Sequence, residues 1–315
     1  MDLEFEPVKF IEKNIRLIRE HVGNSAAVAA ASGGVDSTTS ALLGHRALGE
    51  KLAVVFLDDG LMRQGEPASV IESYEALGLK PKLFDVSEEF YAALGRLSDP
   101  EEKRKAFRGT FYTALSKIVR ELKAQYLIQG TIAADVIETK KGVKTQHNVL
   151  EQIGIDTSDK YGYRLVEPLR DLYKDQVRLV AKALGLPIEE VNRRPFPGPG
   201  LSIRILGEVT REGIDLVRRA TAIVEEETAD LQCFQAFAVL AKDRATGLAK
   251  DRSRLFGNIV IVRVVDSINA MTASPNQLPW DQLEGIRNRI LAELPSVTRV
   301  LYDVTPKPPA TIEFE

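Results

Sequence analysis

The residues best suited to chemistry lie at 32–38, in the order Ser-Gly-Gly-Val-Asp-Ser-Thr, directly after a short apolar run. Glycine allows the tight turn that ends a strand. The first backbone N–H groups of a following helix lack intrahelical partners and carry a partial positive charge. Small hydroxyl side chains add donors without blocking an anion. We therefore predict a phosphate-binding turn formed by Ser32, Gly33, Gly34, Val35, Asp36, Ser37 and Thr38.

This turn differs from two common phosphate-binding motifs. No lysine follows the glycines, as it does in G-x-x-x-x-G-K-[ST], and the spacing is not that of G-x-G-x-x-G. The alternative interpretation is a plain strand–turn–helix corner, in which glycine makes the turn and serine caps the helix.

Two carboxylates are candidates for binding a metal ion. Asp36 lies within the predicted turn, where its charge repels a polyphosphate unless a cation lies between them. Mg²⁺ prefers oxygen ligands and substrate phosphates, so we predict that Asp36 is a catalytic metal ligand. Asp135, just past another apolar run, is predicted to be the second ligand. The alternatives are a first-turn helix acid for Asp36 and a helix N-cap for Asp135.

Composition narrows the class of protein. The chain has 315 residues, 44% of them hydrophobic and 28% charged, and its net charge is −3. This length suits about two domains, and the charge disfavours nucleic acid as a partner. The single cysteine, Cys233, excludes an intramolecular disulfide and favours a reducing compartment. With no signal-peptide pattern and no apolar run near the ~18 residues of a membrane helix, we expect a cytoplasmic protein without membrane contact.

Apolar runs alternate with helical patterns over the first part of the chain. We predict strands at 26–32, 52–60, 80–87 and 125–131, and helices at 10–22, 37–50, 67–79, 99–123 and 175–187. Since the strands are apolar throughout, they indicate an α/β fold with a doubly wound parallel sheet. Ligands bind at the carboxyl ends of such strands, where Ser32-Gly33-Gly34, Asp58-Asp59-Gly60 and Gln129-Gly130-Thr131 stand.

A break near residue 195 separates two predicted domains. The stretch 193–201 contains three prolines and two glycines, so we predict neither helix nor strand there. Beyond it we predict helices at 211–228 and 280–293 and strands at 234–241, 258–265 and 297–305. We therefore expect one domain at 1–194 and a smaller α+β domain at 195–315. Residues 137–163 are polar and poorly periodic, which is typical of a long lid loop.

The hexapeptide Ser-Gly-Gly-Val-Asp-Ser resembles the signature of the pyrophosphate-loop family of ATP pyrophosphatases. Further stretches together resemble the synthetase part of the GMP synthase family, in that family's order and over nearly the whole chain. They are "FLDDGL", "DPEEKRKAFRGTF", "QGTIAADVIET", "KTQHNV", "LVEPLRDLYKDQVR", "PFPGPGLSIRILGEV", "QAFAVL" and "KPPATIEFE". Asp59, Gln146 and Phe314 depart from the usual pattern.

The resemblance implies ATP-driven amination of XMP to GMP in purine biosynthesis, with AMP and pyrophosphate released. The fold would be adenine nucleotide alpha hydrolase-like, and ATP would be used with Mg²⁺. The turn 32–38 would bind the leaving pyrophosphate, and Phe56, Leu57 and Gly130 would lie beside the nucleotide. Lys144 matches the family's lid lysine and would be catalytic, with His147 and Asn148 beside it.

The resemblance also implies functions for the second domain. It would bind XMP and form a homodimer. The residues matched to XMP binding are Gly198, Gly200, Lys307, Thr311, Ile312 and Glu313.

The source of ammonia is the remaining question. A glutaminase of this kind needs a nucleophilic cysteine, whereas Cys233 lies in an apolar strand-like stretch typical of a structural thiol. No amidotransferase domain precedes residue 1, so we expect a separate glutaminase subunit to supply ammonia. The alternatives are an NAD⁺ synthetase-like ligase, a tRNA-thiolating relative and a non-catalytic ATP-binding sensor.

Overall fold

A computed structural model describes residues 5–140, 157–191, 193–248, 252–268 and 270–315. The chain forms two compact units. The first comprises Met1–Asp58, Glu66–Val86 and Gly109–Arg193, and the second comprises Asp59–Gly65, Ser87–Arg108 and Arg194–Glu315. The last passage of the chain between units lies beside the boundary predicted at 194/195, while two earlier segments also belong to the second unit. The assignment of 1–194 and 195–315 as functional domains stays a prediction.

The first unit contains a parallel sheet, five-stranded within the described residues. The strands are β1 (Ala27–Ala31), β2 (Leu52–Asp58), β3 (Lys82–Asp85), β4 (Tyr126–Ile128) and β5 (Arg164–Val166). They pair in the order β3-β2-β1-β4-β5, and every pair is parallel. The predicted α/β fold with a parallel sheet is confirmed, and β1 and β4 are next to each other, so the turn after β1 and the Gly130 loop share one edge.

Helices flank this sheet. They are α1 (Pro7–Val22), α2 (Val35–Leu48), α3 (Glu66–Ala76), α6 (Ala133–Lys140), α7 (Thr157–Tyr161), α8 (Lys174–Leu184) and α9 (Ile188–Val191), with part of α5 (Pro100–Glu121). Helices α1, α2 and α8 pack on one another. Gly44 lets α2 approach the sheet, because a Cβ at this position would lie 2.6 Å from Ile128 Cδ1.

Local signals explain where several elements begin. Asp99 caps α5 as predicted, since its carboxylate accepts hydrogen bonds from the N–H groups of Glu101 and Glu102, both at 2.9 Å. The prediction for 137–163 was wrong in part. Residues up to Lys140 belong to α6 and Thr157–Tyr161 form α7, while 141–156 lie outside the described residues. The acid Asp135 in the first turn of α6 stabilises a helix that the polar sequence conceals.

The second unit is the predicted smaller α+β structure. Its sheet contains β6 (Gln235–Leu248), β7 (Arg254–Asp266), β8 (Ser274–Pro275) and β9 (Val297–Tyr302). Strand β7 pairs antiparallel with β6 and β8 and parallel with β9. Helices α10 (Arg211–Glu227) and α11 (Trp280–Glu293) supply the apolar residues that complete its core, and α4 (Ser87–Leu94) also belongs to this unit.

None of the described helices combines the length and apolar character needed to cross a bilayer.

Candidate active site

The turn after β1 requires glycine at its tightest point. Gly33 has a φ of +73°, and a Cβ there would lie 2.5 Å from Val70 Cγ2. Helix α2 then begins at Val35, with Gly34 as its N-cap and no side-chain cap. The N-terminal N–H groups of α2 therefore face the turn without a capping side chain, as an anion-binding helix end requires.

Hydroxyl groups hold the shape of this turn. Ser32 Oγ and Ser37 Oγ lie 2.8 Å apart, and the Ser37 hydroxyl donates to the carbonyl of Gly34 at 2.9 Å. Thr38 Oγ1 lies 3.0 Å from the same carbonyl and 2.9 Å from the hydroxyl of Tyr74. The turn is thus shaped by its own side chains before a ligand arrives.

Asp36 has one oxygen paired and one unpaired. Lys174 Nζ donates to Oδ2 at 2.6 Å, whereas Oδ1 is buried without a hydrogen-bond partner in the described structure. Burial raises the pKa of the Asp36 carboxyl, and the charge of Asp135 adds to this, while Lys174 and Arg178 act in the opposite direction. A buried carboxylate oxygen with no donor fits a site for a further cation.

Asp135 lies close enough to affect Asp36 electrostatically. It stands in the first turn of α6 and accepts a hydrogen bond from the N–H of Ile132 at 3.0 Å, so it also stabilises the helix start. The described residues contain no group of three or more His, Cys, Asp or Glu arranged to hold a metal. A Mg²⁺ ion at Asp36 would therefore need oxygens from the substrate phosphates, which is how this ion is commonly bound. The metal role of both carboxylates stays a prediction.

Gly130 permits a close approach between the end of β4 and the start of α2. A Cβ at this position would lie 2.7 Å from the carbonyl carbon of Asp36 and 2.8 Å from the backbone nitrogen of Ser37. The glycine at this position is thus explained by backbone packing against the predicted phosphate-binding turn.

Phe56 and Leu57 belong to the interior of the sheet. Their side chains are buried, and Phe56 is the register partner of Ala31 on one side and Leu83 on the other. The interpretation as an ordinary core strand is therefore true of both side chains. A contact of their backbone with adenine stays a prediction.

Several groups around the turn were not singled out from the sequence. Lys174 pairs with Asp36, and Tyr74 bonds to Thr38. Arg193 Nη1 would lie 3.1 Å from a Cβ at Gly33, and its Nη2 forms an ion pair with Glu66 at 3.0 Å. The stretch "LVEPLRDLYKDQVR" already carried the resemblance and contains Lys174 and Arg178, so it was the signal that could have identified them.

In the second unit, the loop with Gly198 and Gly200 is tightly turned. Gly200 has a φ of +62°, and a Cβ there would lie 2.5 Å from the carbonyl oxygen of Leu61. The N–H of Gly200 donates to the carbonyl of Pro197 at 3.0 Å, and that of Leu201 donates to the carbonyl of Leu61 at 2.8 Å. The expectation that this loop exposes its N–H groups is therefore wrong for Gly200, because its donor closes the turn.

The other residues matched to XMP lie near the end of the chain. Lys307 Nζ donates to the carbonyl of Ala270 at 2.8 Å. Thr311 donates from its hydroxyl to the carbonyl of Glu313, and Ile312 is buried in a small apolar cluster. Glu313 accepts two hydrogen bonds from Arg204, at 2.9 and 3.0 Å. Thr311, Ile312 and Glu313 thus form one fixed segment.

Three predicted site residues lie outside the described residues: Lys144, His147 and Asn148. The two departures from the family pattern that are described have local explanations. Asp59 accepts the N–H of Leu61 at 2.8 Å, a turn that asparagine forms equally well. Phe314 places its ring 5.8 Å from the guanidinium of Arg263, which any aromatic ring can do.

Two family models match this chain. The model described as NAD synthase matches residues 7–198, and the one described as GMP synthase C terminal domain matches residues 222–314. The first match covers the sheet with the glycine turn, and the second covers most of the smaller sheet and the segment around Glu313.

Curated relatives match over the whole length, and all three described here are named as the same subunit of a glutamine-hydrolyzing GMP synthase. The chain is 49% identical to the subunit from Methanopyrus kandleri, over 99% of this chain and 100% of that protein. Identity is also 49% to the subunit from Pyrococcus furiosus, over 98% and 97% of the two chains. The subunit from Archaeoglobus fulgidus is 49% identical over 100% of both chains. This chain therefore belongs to the family of these GMP synthase subunits.

Proposed function

We propose that this chain catalyses the ATP-dependent amination of XMP to GMP, as a ligase that forms a carbon–nitrogen bond. The observation that carries the proposal is the glycine turn at the start of α2, which holds the buried and half-paired carboxylate of Asp36. Membership of the GMP synthase family supports the choice of substrate.

The reaction proceeds in two steps. The C2 oxygen of the xanthine base attacks the α-phosphorus of ATP, the bond between the α- and β-phosphates breaks, and pyrophosphate leaves. This step gives an adenylyl-XMP intermediate, which turns a poor leaving group into a good one. Ammonia then adds at C2, AMP departs, and a proton is lost to give GMP.

The residues of the turn would stabilise charge rather than form covalent bonds. Backbone N–H groups at the start of α2 and the hydroxyls of Ser32 and Ser37 would bind the β- and γ-phosphates. Asp36 would hold Mg²⁺ through its unpaired oxygen, with Asp135 near enough to assist. When bound, Mg²⁺ neutralises charge on the leaving pyrophosphate. Lys174 would turn from Asp36 toward the phosphates when the metal arrives.

The remaining assignments are part of the same proposal. Thr311, Ile312, Glu313 and Lys307 would contact XMP, together with the loop of Gly198 and Gly200, and Lys144 would reach the phosphates. The second unit would mediate a homodimer. A separate glutaminase subunit would supply ammonia, an idea supported by the relatives' names, which describe one subunit of a glutamine-hydrolyzing enzyme. The cytoplasmic location stays a prediction.

The test is a product assay with the purified chain. We expect ATP, Mg²⁺, XMP and an ammonium salt to give GMP, AMP and pyrophosphate in equal amounts. Glutamine should not replace ammonium until a candidate glutaminase subunit is added. Formation of ADP and phosphate, or ATP cleavage that does not depend on XMP, would contradict the proposal.

One observation favours a second candidate, since residues 7–198 match the NAD synthase model. Under this alternative the chain would amidate the carboxylate of deamido-NAD with the same AMP and pyrophosphate products. The match of residues 222–314 to the GMP synthase model disfavours it. Replacing XMP by deamido-NAD in the same assay separates the two, and we expect no turnover with deamido-NAD.

A further inference from the structure

The segment Thr311–Glu315 is held by three cationic side chains that are almost completely buried. Lys103 and Arg263 are 0% exposed and Arg204 is 1% exposed. Such residues are rarely buried without a specific partner. Here each of the three has its partner in this one segment.

Arg204 fixes the side chain of Glu313. Its Nε donates to Oε2 at 3.0 Å and its Nη2 donates to Oε1 at 2.9 Å, which is the two-bond geometry that arginine forms with carboxylates. The guanidinium lies against the ring of Phe237, 4.0 Å from its centroid. Gln235 Nε2 adds a third bond to Glu313 Oε1 at 3.1 Å. The carboxylate is therefore restricted to one orientation.

Arg263 fixes the backbone of the same segment. Its Nε donates to the carbonyl of Ile312 and its Nη2 to the carbonyl of Thr311, both at 2.9 Å. Its Nη1 pairs with Asp303 and donates to the carbonyl of Thr305 at 3.1 Å. One side chain thus ties two consecutive carbonyls to strand β7.

Lys103 links the end of the segment to the loop of Gly200. Its ammonium donates to Glu315 Oε2 at 2.5 Å and to the carbonyl of Ile205 at 2.6 Å, with the carbonyl of Ser202 at 3.5 Å. Ser202 belongs to the short 3₁₀ helix Gly200–Arg204, which follows directly on the loop matched to XMP. The two sequence segments predicted to bind XMP are therefore joined through one buried ammonium.

We propose that Lys103, Arg204 and Arg263 form a cationic clamp that positions Thr311–Glu315 for the purine nucleotide without touching it. This inference rests on the proposed function, since it assigns positioning residues to that same substrate. None of the three is needed merely to fill space, because apolar residues of similar size would bury as well at lower desolvation cost. What apolar residues cannot do is hold two carbonyls and two carboxylates in fixed directions.

The test measures XMP and ATP kinetics separately in three variants. In Lys103→Met, Arg204→Lys and Glu315→Gln we expect the KM for XMP to rise, by between about tenfold and a hundredfold for Lys103→Met. The KM for ATP should stay within about twofold, since the phosphate-binding turn is unaltered. Hydrogen–deuterium exchange of a peptide covering 308–315 should become faster in each variant.

Controls separate positioning from stability. Arg287→Met removes a surface cation of the same unit, which pairs with Glu284 at 3.1 Å, and should change neither KM. Glu315→Gln keeps the size and acceptor of the side chain, so it serves if Lys103→Met does not fold. An unchanged KM for XMP in the folded variants, or equal rises in both KM values, would overturn the clamp. A wild-type chain without XMP-dependent pyrophosphate release would overturn the proposed function and the clamp with it.

Discussion

Lys174 Nζ lies 2.6 Å from Asp36 Oδ2, while the other oxygen of that carboxylate is buried without a partner in the described structure. Lys174 is the first residue of α8, where the helix dipole disfavours a positive charge. Its position at this helix end is therefore not explained by helix stability. The pair indicates a cation that is kept beside the turn and is able to exchange its carboxylate partner for a phosphate.

Replacing Lys174 by methionine should weaken ATP binding. We expect the KM for ATP to rise by about tenfold or more, because a charge-assisted bond to phosphate is lost. Thermal stability should change little, since the Lys174 side chain is 44% exposed and such pairs contribute little to folding. Steady-state kinetics with varied ATP measures the effect. Lys182→Met on the exposed face of the same helix is the control, and an unchanged KM for ATP in Lys174→Met would contradict the assignment.

Replacing Asp36 by asparagine should remove most of the turnover. We expect the rate to fall by roughly a hundredfold or more, as when a group that stabilises a charged transition state is lost. The folded state should not be weakened strongly, because burial already raises the pKa of this carboxyl and a neutral amide avoids that cost. Pyrophosphate release at several Mg²⁺ concentrations measures the change, and wild-type turnover in the variant would rule out the metal role.

The parts of the fold with strong local signals could be predicted from the sequence. The apolar strands of the first unit and the helices with clear periodicity lie where expected, within a few residues at their ends. The glycine turn after β1 was predictable because a strand, a turn and a helix start follow one another directly. Its glycines have local physical reasons, such as the positive φ of Gly33.

Other features depend on contacts that no local pattern announces. Asp36 and Lys174 are 138 positions apart, and Lys103 and Glu315 are 212 apart, so the packing of the whole unit brings each pair together. Short elements such as α7 and β5 have too few residues to show a period. The charge run around Lys103 is typical of a solvated helix face, and its sequence does not distinguish the one lysine that is buried.

Replacing Gly130 by alanine should displace the start of α2. The added Cβ would meet backbone atoms of Asp36 and Ser37 at 2.7–2.8 Å, and backbone cannot move aside as a flexible side chain can. We expect a destabilisation of about 1–3 kcal/mol together with a higher KM for ATP.

Gly109→Ala is the matched control for this prediction. Gly109 lies inside α5, and a Cβ there has nothing within 4 Å. This change should raise the free energy of unfolding by up to about 1 kcal/mol, since alanine is the better helix former. Urea unfolding of both variants, with ATP kinetics, decides the matter. Equal effects of the two substitutions would show that the contact between Gly130 and α2 is not constraining.

The thiol of Cys233 should react slowly at neutral pH. Burial raises the pKa of this thiol, and the negative charges of Asp266 and Glu225 add to this, while Arg194 opposes it. A raised pKa lowers the thiolate fraction at pH 7–8, and the thiolate is the reactive form. Iodoacetamide should therefore label Cys233 more slowly than free cysteine, with the rate rising only at alkaline pH. Mass spectrometry of the labelled peptide gives the rate, and Cys233→Ser, which leaves no cysteine, gives the background. We expect this variant to retain ammonium-driven turnover, because a structural thiol takes no part in releasing ammonia. Fast labelling at pH 7, or loss of the ammonium-driven reaction in Cys233→Ser, would instead indicate an activated nucleophile.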